Sequence, residues 1–233
     1  MTDTELFLDK YKWLEQAATV RFHLEQDGRA ISQLERMPRF RSERNTLSYA
    51  RDVRNLLQHN PKIDGEDAVT PSKGLIDFLD KMLRRVENPE KCLDSAIVMG
   101  KLYYKGLSDE VYPAMETMAK RSYSHVPILK NGVVTGVFSK NSIFALIMSG
   151  KTTGDLKKLR FADITEYTKT ESECSDIYVF ARDDMLIEDA EELCEETYKN
   201  GHKIGLLFLT KNGRAEEKLT AAITPWTILG RKF

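Results

Sequence analysis

The sequence predicts an α+β chain: an all-α bundle over residues 1–90, then two similar strand-helix-strand-strand-helix repeats over 91–150 and 151–233. Three observations carry this reading. In the first ninety residues apolar side chains recur every three or four positions, with no strand-like alternation. After Pro89, short runs rich in β-branched and aromatic residues alternate with helical stretches. Two tracts of that second part align with each other, which marks an internal repeat.

Phe7, Tyr11, Leu14, Ala18 and Phe22 set one apolar stripe along a first helix, and Asp27-Gly28 ends it. A second helix is expected over 29–37, stopped by Pro38, and a third over 42–59. Pro61 bounds the third, because the residue before a proline disfavours the α region. Thr70-Pro71 opens the fourth, with Thr70 as cap and Pro71 at the first helical position. Leu75, Ile76, Leu79, Met82, Leu83 and Val86 form its stripe, and Asn88-Pro89 closes it. Beyond it, strands are expected at 101–104, 125–129 and 133–138, with a helix over 110–121 between the first two. The order recurs: a strand at 177–180, a helix over 187–200, strands at 203–209 and 218–223, and a closing helix. Residues 150–155 read as the hinge between repeats.

With 41% hydrophobic and 30% charged residues in 233 positions, the composition is globular rather than disordered. A net charge of −1 gives no overall pull toward nucleic acid or an anionic membrane. The longest apolar runs, 143–148 and 205–209, are too short to cross a bilayer. The start Met1-Thr2-Asp3-Thr4-Glu5 is acidic and polar, unlike a signal peptide. Cys92, Cys174 and Cys194 have no C-x-x-C spacing, which fits a reducing cytoplasm and argues against a disulfide framework or structural zinc. A soluble cytoplasmic protein is expected, with no membrane partner and no metal. No Walker loop, metal-ligand cluster or Ser-His-Asp arrangement is legible.

The repeat itself is specific. Lys130-Asn131-Gly132 matches Lys211-Asn212-Gly213, and residues 135–143 match 220–228. Gly136-Val137-Phe138-Ser139 and Ala221-Ala222-Ile223-Thr224 are small-hydrophobic-hydrophobic-hydroxyl turns into a last helix. In this order and with these turns, residues from about 92 to 230 resemble a tandem pair of CBS domains, a Bateman module. The resemblance implies two clefts about a pseudo-twofold axis, often occupied by adenine nucleotides or S-adenosylmethionine. A helix N-terminus offers free N–H groups to phosphate, and a hydroxyl at the turn adds a donor. Carried over, the phosphate-side hydroxyls are Ser139 and Thr224. The adenine would lie near Tyr104, Val126 and Pro127 in one cleft and near Phe180, Ile204 and Gly205 in the other. AMP, ADP, ATP and S-adenosylmethionine are the implied regulatory ligands, none of them a required cofactor.

One departure bears on that. Ligand-binding members commonly carry an Asp three residues past the turn hydroxyl, where it holds both ribose hydroxyls. Here Ser142 and Thr227 stand there, and a hydroxyl makes no charged bidentate bond. Ser139 and Thr224 are equally readable as helix N-caps alone.

In the helical part, Arg54-Asn55-Leu56-Leu57-Gln58-His59 reads R-N-x-x-x-H at a helix end. It resembles the motif of HEPN domains, helical bundles that often dimerise and include metal-independent ribonucleases. That resemblance implies Arg54 as stabiliser of a phosphorane-like charge and His59 as proton carrier, with Asn55 beside them. Leu47, Tyr49, Ala50, Val53, Leu56 and Leu57 span the apolar side of this helix, with Arg54 inside its edge and Asn55 and His59 on the polar face. Seven arginines between Arg29 and Arg54 could follow a phosphate backbone, as in RNA, or simply mark a solvated face. The acidic stretch 183–196 is either a solvated face or a dock for that basic segment. Two functions follow: a ligand-responsive regulatory protein with a dimerising helical domain, or a HEPN-type endoribonuclease gated by the repeats. A homodimer is expected under both.

Overall fold

The computed structural model describes residues 2–25, 28–59, 65, 67, 69–170 and 176–230, and divides into two compact units, Met1–Glu90 and Lys91–Phe233. The expectations at Asp27, Pro61 and Cys174 lie outside the described residues.

In the first unit the described residues form α1 (Asp3–Phe22), α2 (Ala30–Arg36), α3 (Arg44–His59) and α4 (Lys73–Glu87). The capping box at Thr2 and Glu5 starts α1, and His23 ends it in the left-handed region at φ 52°. The fourth helix starts later than its sequence suggests. Ser72, not Thr70, accepts from the Leu75 N–H, so the chain turns helical only at Lys73, beyond Pro71. Phe7, Leu14, Leu34, Phe40, Leu47 and Leu79 are fully buried in one core. Leu47, Ala50 and Val53 face it from α3, whereas Tyr49 and Leu56 lie outward.

The second unit contains two repeats: β2 (Lys105–Gly106), α6 (Val111–Arg121), β3 (His125–Lys130), β4 (Val133–Ser139) and α7 (Lys140–Met148), then β5 (Asp176–Arg182), α9 (Ile187–Lys199), β6 (Lys203–Thr210), β7 (Leu219–Ile223) and α10 (Pro225–Leu229). Its shorter elements include α5 (Cys92–Ser95), β1 (Ile97–Val98), α8 (Thr153–Leu156) and a 3-10 stretch over Phe161–Tyr167. The expected fold class is found. Within each repeat the first two strands are parallel and the last two antiparallel. Among the described residues the sheet orders are β2-β3-β4 and β1-β7-β6-β5.

Two local expectations are corrected. Residues 101–104 are not a strand: a 3-10 turn spans Met99–Lys101 and the extended pairing begins at Lys105. The 150–155 hinge is partly α8, because Thr152 and Asp155 form a capping box.

Each repeat borrows from the chain that precedes the other. Cys92, Leu93 and Ala96 pack into the core of repeat two, and β1 pairs with β7 there. Leu156, Phe161 and Ile164 pack into the core of repeat one, where Phe161 meets Phe138 edge-on at 5.2 Å. Between the two sheets lies a third core of Leu129, Val134, Val137, Leu206, Phe208, Leu219 and Ala222.

Candidate functional site

Strand alternation decides what reaches the space beside that inter-sheet core. In β3, Val126 and Ile128 face the helices, so His125 and Pro127 face the opposite way. Beyond them lies a cavity of about 420 Å³. Repeat one contributes Tyr103, Tyr123, His125 and Pro127; repeat two contributes Asp176, Lys203, Ile204, Gly205, Thr224 and Trp226; Ile97 and Lys101 come from the preceding segment.

Gly205 makes the close approach there. Ile177 pairs with Ile204 and Tyr178 with Leu206, so Gly205 is the extra residue of a bulge. A Cβ on it would stand 2.9 Å from Tyr178 Cε1 and 3.0 Å from His125 Nε2. His125 packs edge-on to the Tyr178 ring at 5.8 Å and faces the Asp176 carboxylate, Nε2 to Oδ2, at 3.6 Å. The same Oδ2 accepts from Asn141 Nδ2 at 3.2 Å. Burial holds the His125 imidazole below its ordinary range; Asp176 opposes that, and Lys140 adds to it. His125 is therefore neutral at pH 7. Because its folded pKa lies below the unfolded value, the unfolded chain takes up a proton first as pH falls. Stability contributed at this site is present above about pH 6.5 and lost as pH drops below it. In urea titrations at pH 7.5 and 5.5, His125→Gln should lose less stability between the two than wild type; equal losses would refute the assignment.

Pro127, Ile204, Gly205 and Thr224 are thus brought together in one cavity, although the sequence reading split them between two clefts. Thr224 caps α10: its hydroxyl accepts from the Thr227 N–H at 3.2 Å and lies 3.0 Å from the Thr227 hydroxyl. Since α10 has five residues and Pro225 in its first turn, it presents fewer free N–H groups than expected. Ser139 and Ser142 cap α7 reciprocally and border a separate, smaller cavity of about 150 Å³ with Asn141 and Tyr178. Asp176 borders both.

Three expected residues lie elsewhere. Val126 is fully buried on the helix side of β3. Phe180 packs on Phe208 at 5.2 Å in the inter-sheet core. Tyr104 is 44% exposed, because its neighbour Tyr103 takes the inward position against Tyr123 at 5.7 Å. Among the lining residues absent from the sequence-based expectation are Asp176, Lys101, Lys203, Tyr103, Tyr123 and Trp226. No sequence pattern marks them: only the parallel pairing of β5 with β6 sets Asp176 opposite Lys203 at the strand starts. Neither Lys101 nor Lys203 has an ion-pair partner among the described residues.

In the helical unit, Arg54 is half-buried. Its guanidinium lies 5.7 Å from the Tyr11 ring centroid and donates to Asn55 Oδ1 at 3.1 Å. Burial raises the Glu15 carboxyl, and the nearby Arg54 opposes the rise. His59 is exposed. Five residues along a helix turn the chain by about 140° net, so Arg54 and His59 leave α3 on different sides. Much of the basic stretch is used internally: Arg51 pairs with Glu35 at 2.8 Å and Arg44 donates to the Glu35 carbonyl. In the acidic stretch, Glu188 is buried, while Glu195 and Glu196 are exposed. Among the described residues no group of three His, Cys, Asp or Glu side chains could hold a metal, and no helix is long and apolar enough to cross a membrane.

No protein-family model matches the chain, and no curated protein does. Solved structures that it resembles include CBS-pair proteins. CBSX2 from Arabidopsis thaliana is 20% identical, with a TM-score of 0.43 over 62% of this chain and 95% of that one. CBSX2 in complex with AMP is 18% identical, with a TM-score of 0.43 over 61% and 96%. CbpB in complex with c-di-AMP is 14% identical, with a TM-score of 0.44 over 61% and 84%.

Proposed function

We propose that the chain is a ligand-responsive regulatory protein in which a CBS pair senses an adenine-containing nucleotide, coupled to a helical domain that dimerises. One observation carries the sensing role: the 420 Å³ cavity, with apolar and aromatic walls, a turn hydroxyl and two lysines that have no ion-pair partner among the described residues. Its volume falls in the range of pockets that enclose small ligands, about 300–1,000 Å³, and the 150 Å³ cavity does not. The ligand is an anion, because Lys101 and Lys203 are cations without ion-pair partners among the described residues at its edge. Asp176, with Oδ1 unbonded among the described residues, supplies the ribose acceptor that Thr227 cannot.

The test is calorimetry and thermal shift with AMP, ADP, ATP, S-adenosylmethionine and c-di-AMP. A ligand at 100 times its Kd raises stability by about 2.7 kcal/mol. Thr224→Val removes the hydroxyl at little steric cost, and should weaken binding by about 0.5–1.5 kcal/mol. Lys101→Gln with Lys203→Gln should weaken it further and flatten its salt dependence. Unchanged affinity in all of these, or no binding by wild type, would overturn the assignment.

The placement of Arg54 and His59 supports a scaffold role for the helical unit. Trp13 and Val20 on α1 are 47% and 76% exposed, large apolar side chains that a second copy would cover. Light scattering should show a dimer at tens of micromolar, and a strict monomer would refute it.

A further inference from the structure

Trp226 is the largest exposed apolar side chain at the cavity: it lines it and is 86% exposed. Its indole makes no ring contact, cation contact or hydrogen bond with the described residues. Its backbone is nonetheless held. Thr224 caps the turn, Pro225 fixes the preceding φ, and the Trp226 carbonyl accepts from the Gly230 N–H. The matching position in repeat one is Asn141, which borders the smaller cavity and is satisfied by Asp176. So repeat one ties this position to repeat two by a hydrogen bond, and repeat two presents an exposed aromatic surface there.

An indole left in water on a fixed backbone costs apolar hydration and gains no contact from the described residues in return. Its faces suit a flat ring, since base stacking on an aromatic side chain needs no particular hydrogen-bond pattern. We infer that Trp226 is a specificity-determining residue: it stacks on a planar heterocycle of the ligand, while the ligand's anionic group lies toward Lys101 and Lys203. The cavity then selects nucleotide-like anions over ring-free phosphates of the same charge. This inference rests on the reading of the cavity as the ligand site.

The experiment separates the two. Wild type, Trp226→Ala, Trp226→Phe and the cavity-filling Gly205→Leu are titrated by calorimetry with AMP, ATP, c-di-AMP and, as ring-free anions, ribose 5-phosphate and pyrophosphate. Melting temperatures confirm folding; Trp226→Ala should melt like wild type, because the side chain is exposed. With two tryptophans in the chain, a Trp13→Phe background leaves Trp226 as the sole indole emitter. At least one of the three nucleotides should bind wild type and change Trp226 emission. Trp226→Ala should bind that probe about 5- to 150-fold more weakly, and Trp226→Phe should recover most of the loss. Ring-free anions should bind weakly and alike in wild type and Trp226→Ala. Equal nucleotide affinity in wild type and Trp226→Ala, with binding lost in Gly205→Leu, would overturn the role of Trp226 and leave the cavity reading standing. Ring-free anions binding as tightly as AMP would overturn it too. No nucleotide binding by wild type would overturn both.

Discussion

Phe208→Ala is expected to lower the stability of the second unit by about 3–5 kcal/mol, the range for emptying a buried aromatic site. Phe208 is fully buried in β6 between two other strands, and its ring packs on Phe180 at 5.2 Å and Tyr178 at 6.3 Å. It also belongs to the core where the sheets of the two repeats meet. A void there cannot be filled by one sheet moving alone, since each is fixed by its own helices. The loss would be a large part of an ordinary domain's 5–15 kcal/mol. Tyr178 borders Gly205 and His125, so the void also loosens the cavity wall. Chemical denaturation of wild type, Phe208→Ala and Phe208→Leu checks this, with the leucine variant losing markedly less. A loss under 1 kcal/mol in Phe208→Ala would mean that the sheets are not joined through this side chain.

Gly136→Ala should cost about 1–3 kcal/mol, by overpacking against backbone rather than by a void. A Cβ at Gly136 would lie 2.6 Å from the Thr168 carbonyl oxygen and 3.0 Å from its hydroxyl. The same carbonyl accepts from the Val137 N–H at 2.8 Å, and Thr168 is 3% exposed, so neither can retreat without breaking that bond. The strain falls where the segment preceding repeat two crosses repeat one. Gly100→Ala, at a position with open space around it, is the control and should change stability little. Equal melting temperatures for wild type and Gly136→Ala would remove the contact as a structural constraint.

The sequence carries the elements whose signal is local. The stripe of Phe7, Tyr11, Leu14 and Ala18, the β-branched run beginning at His125, and the Ser139 and Thr224 turns are written in neighbouring residues, and each forms as its pattern requires. The matching of 135–143 with 220–228 was enough for two repeats of one design, because like patterns fold alike. Thr70 failed as a cap because Ser72 competed two residues on, a choice settled by one hydrogen bond.

The sequence by itself determined the fold class, the two repeats and the capping hydroxyls, since periodicity and capping act over three or four residues. Only the tertiary structure decided which of the expected residues meet. Val126 and Pro127 are adjacent, yet strand alternation sends one into the helix-side core and the other to the cavity. Ile97 and Lys101 reach a cavity shared with residues more than a hundred positions away, because β1 pairs with β7. Asp176 sits beside His125 because the two sheets, one holding each residue, pack on each other through the core of Leu129, Val137 and Phe208, and no local pattern records which strands or sheets will meet.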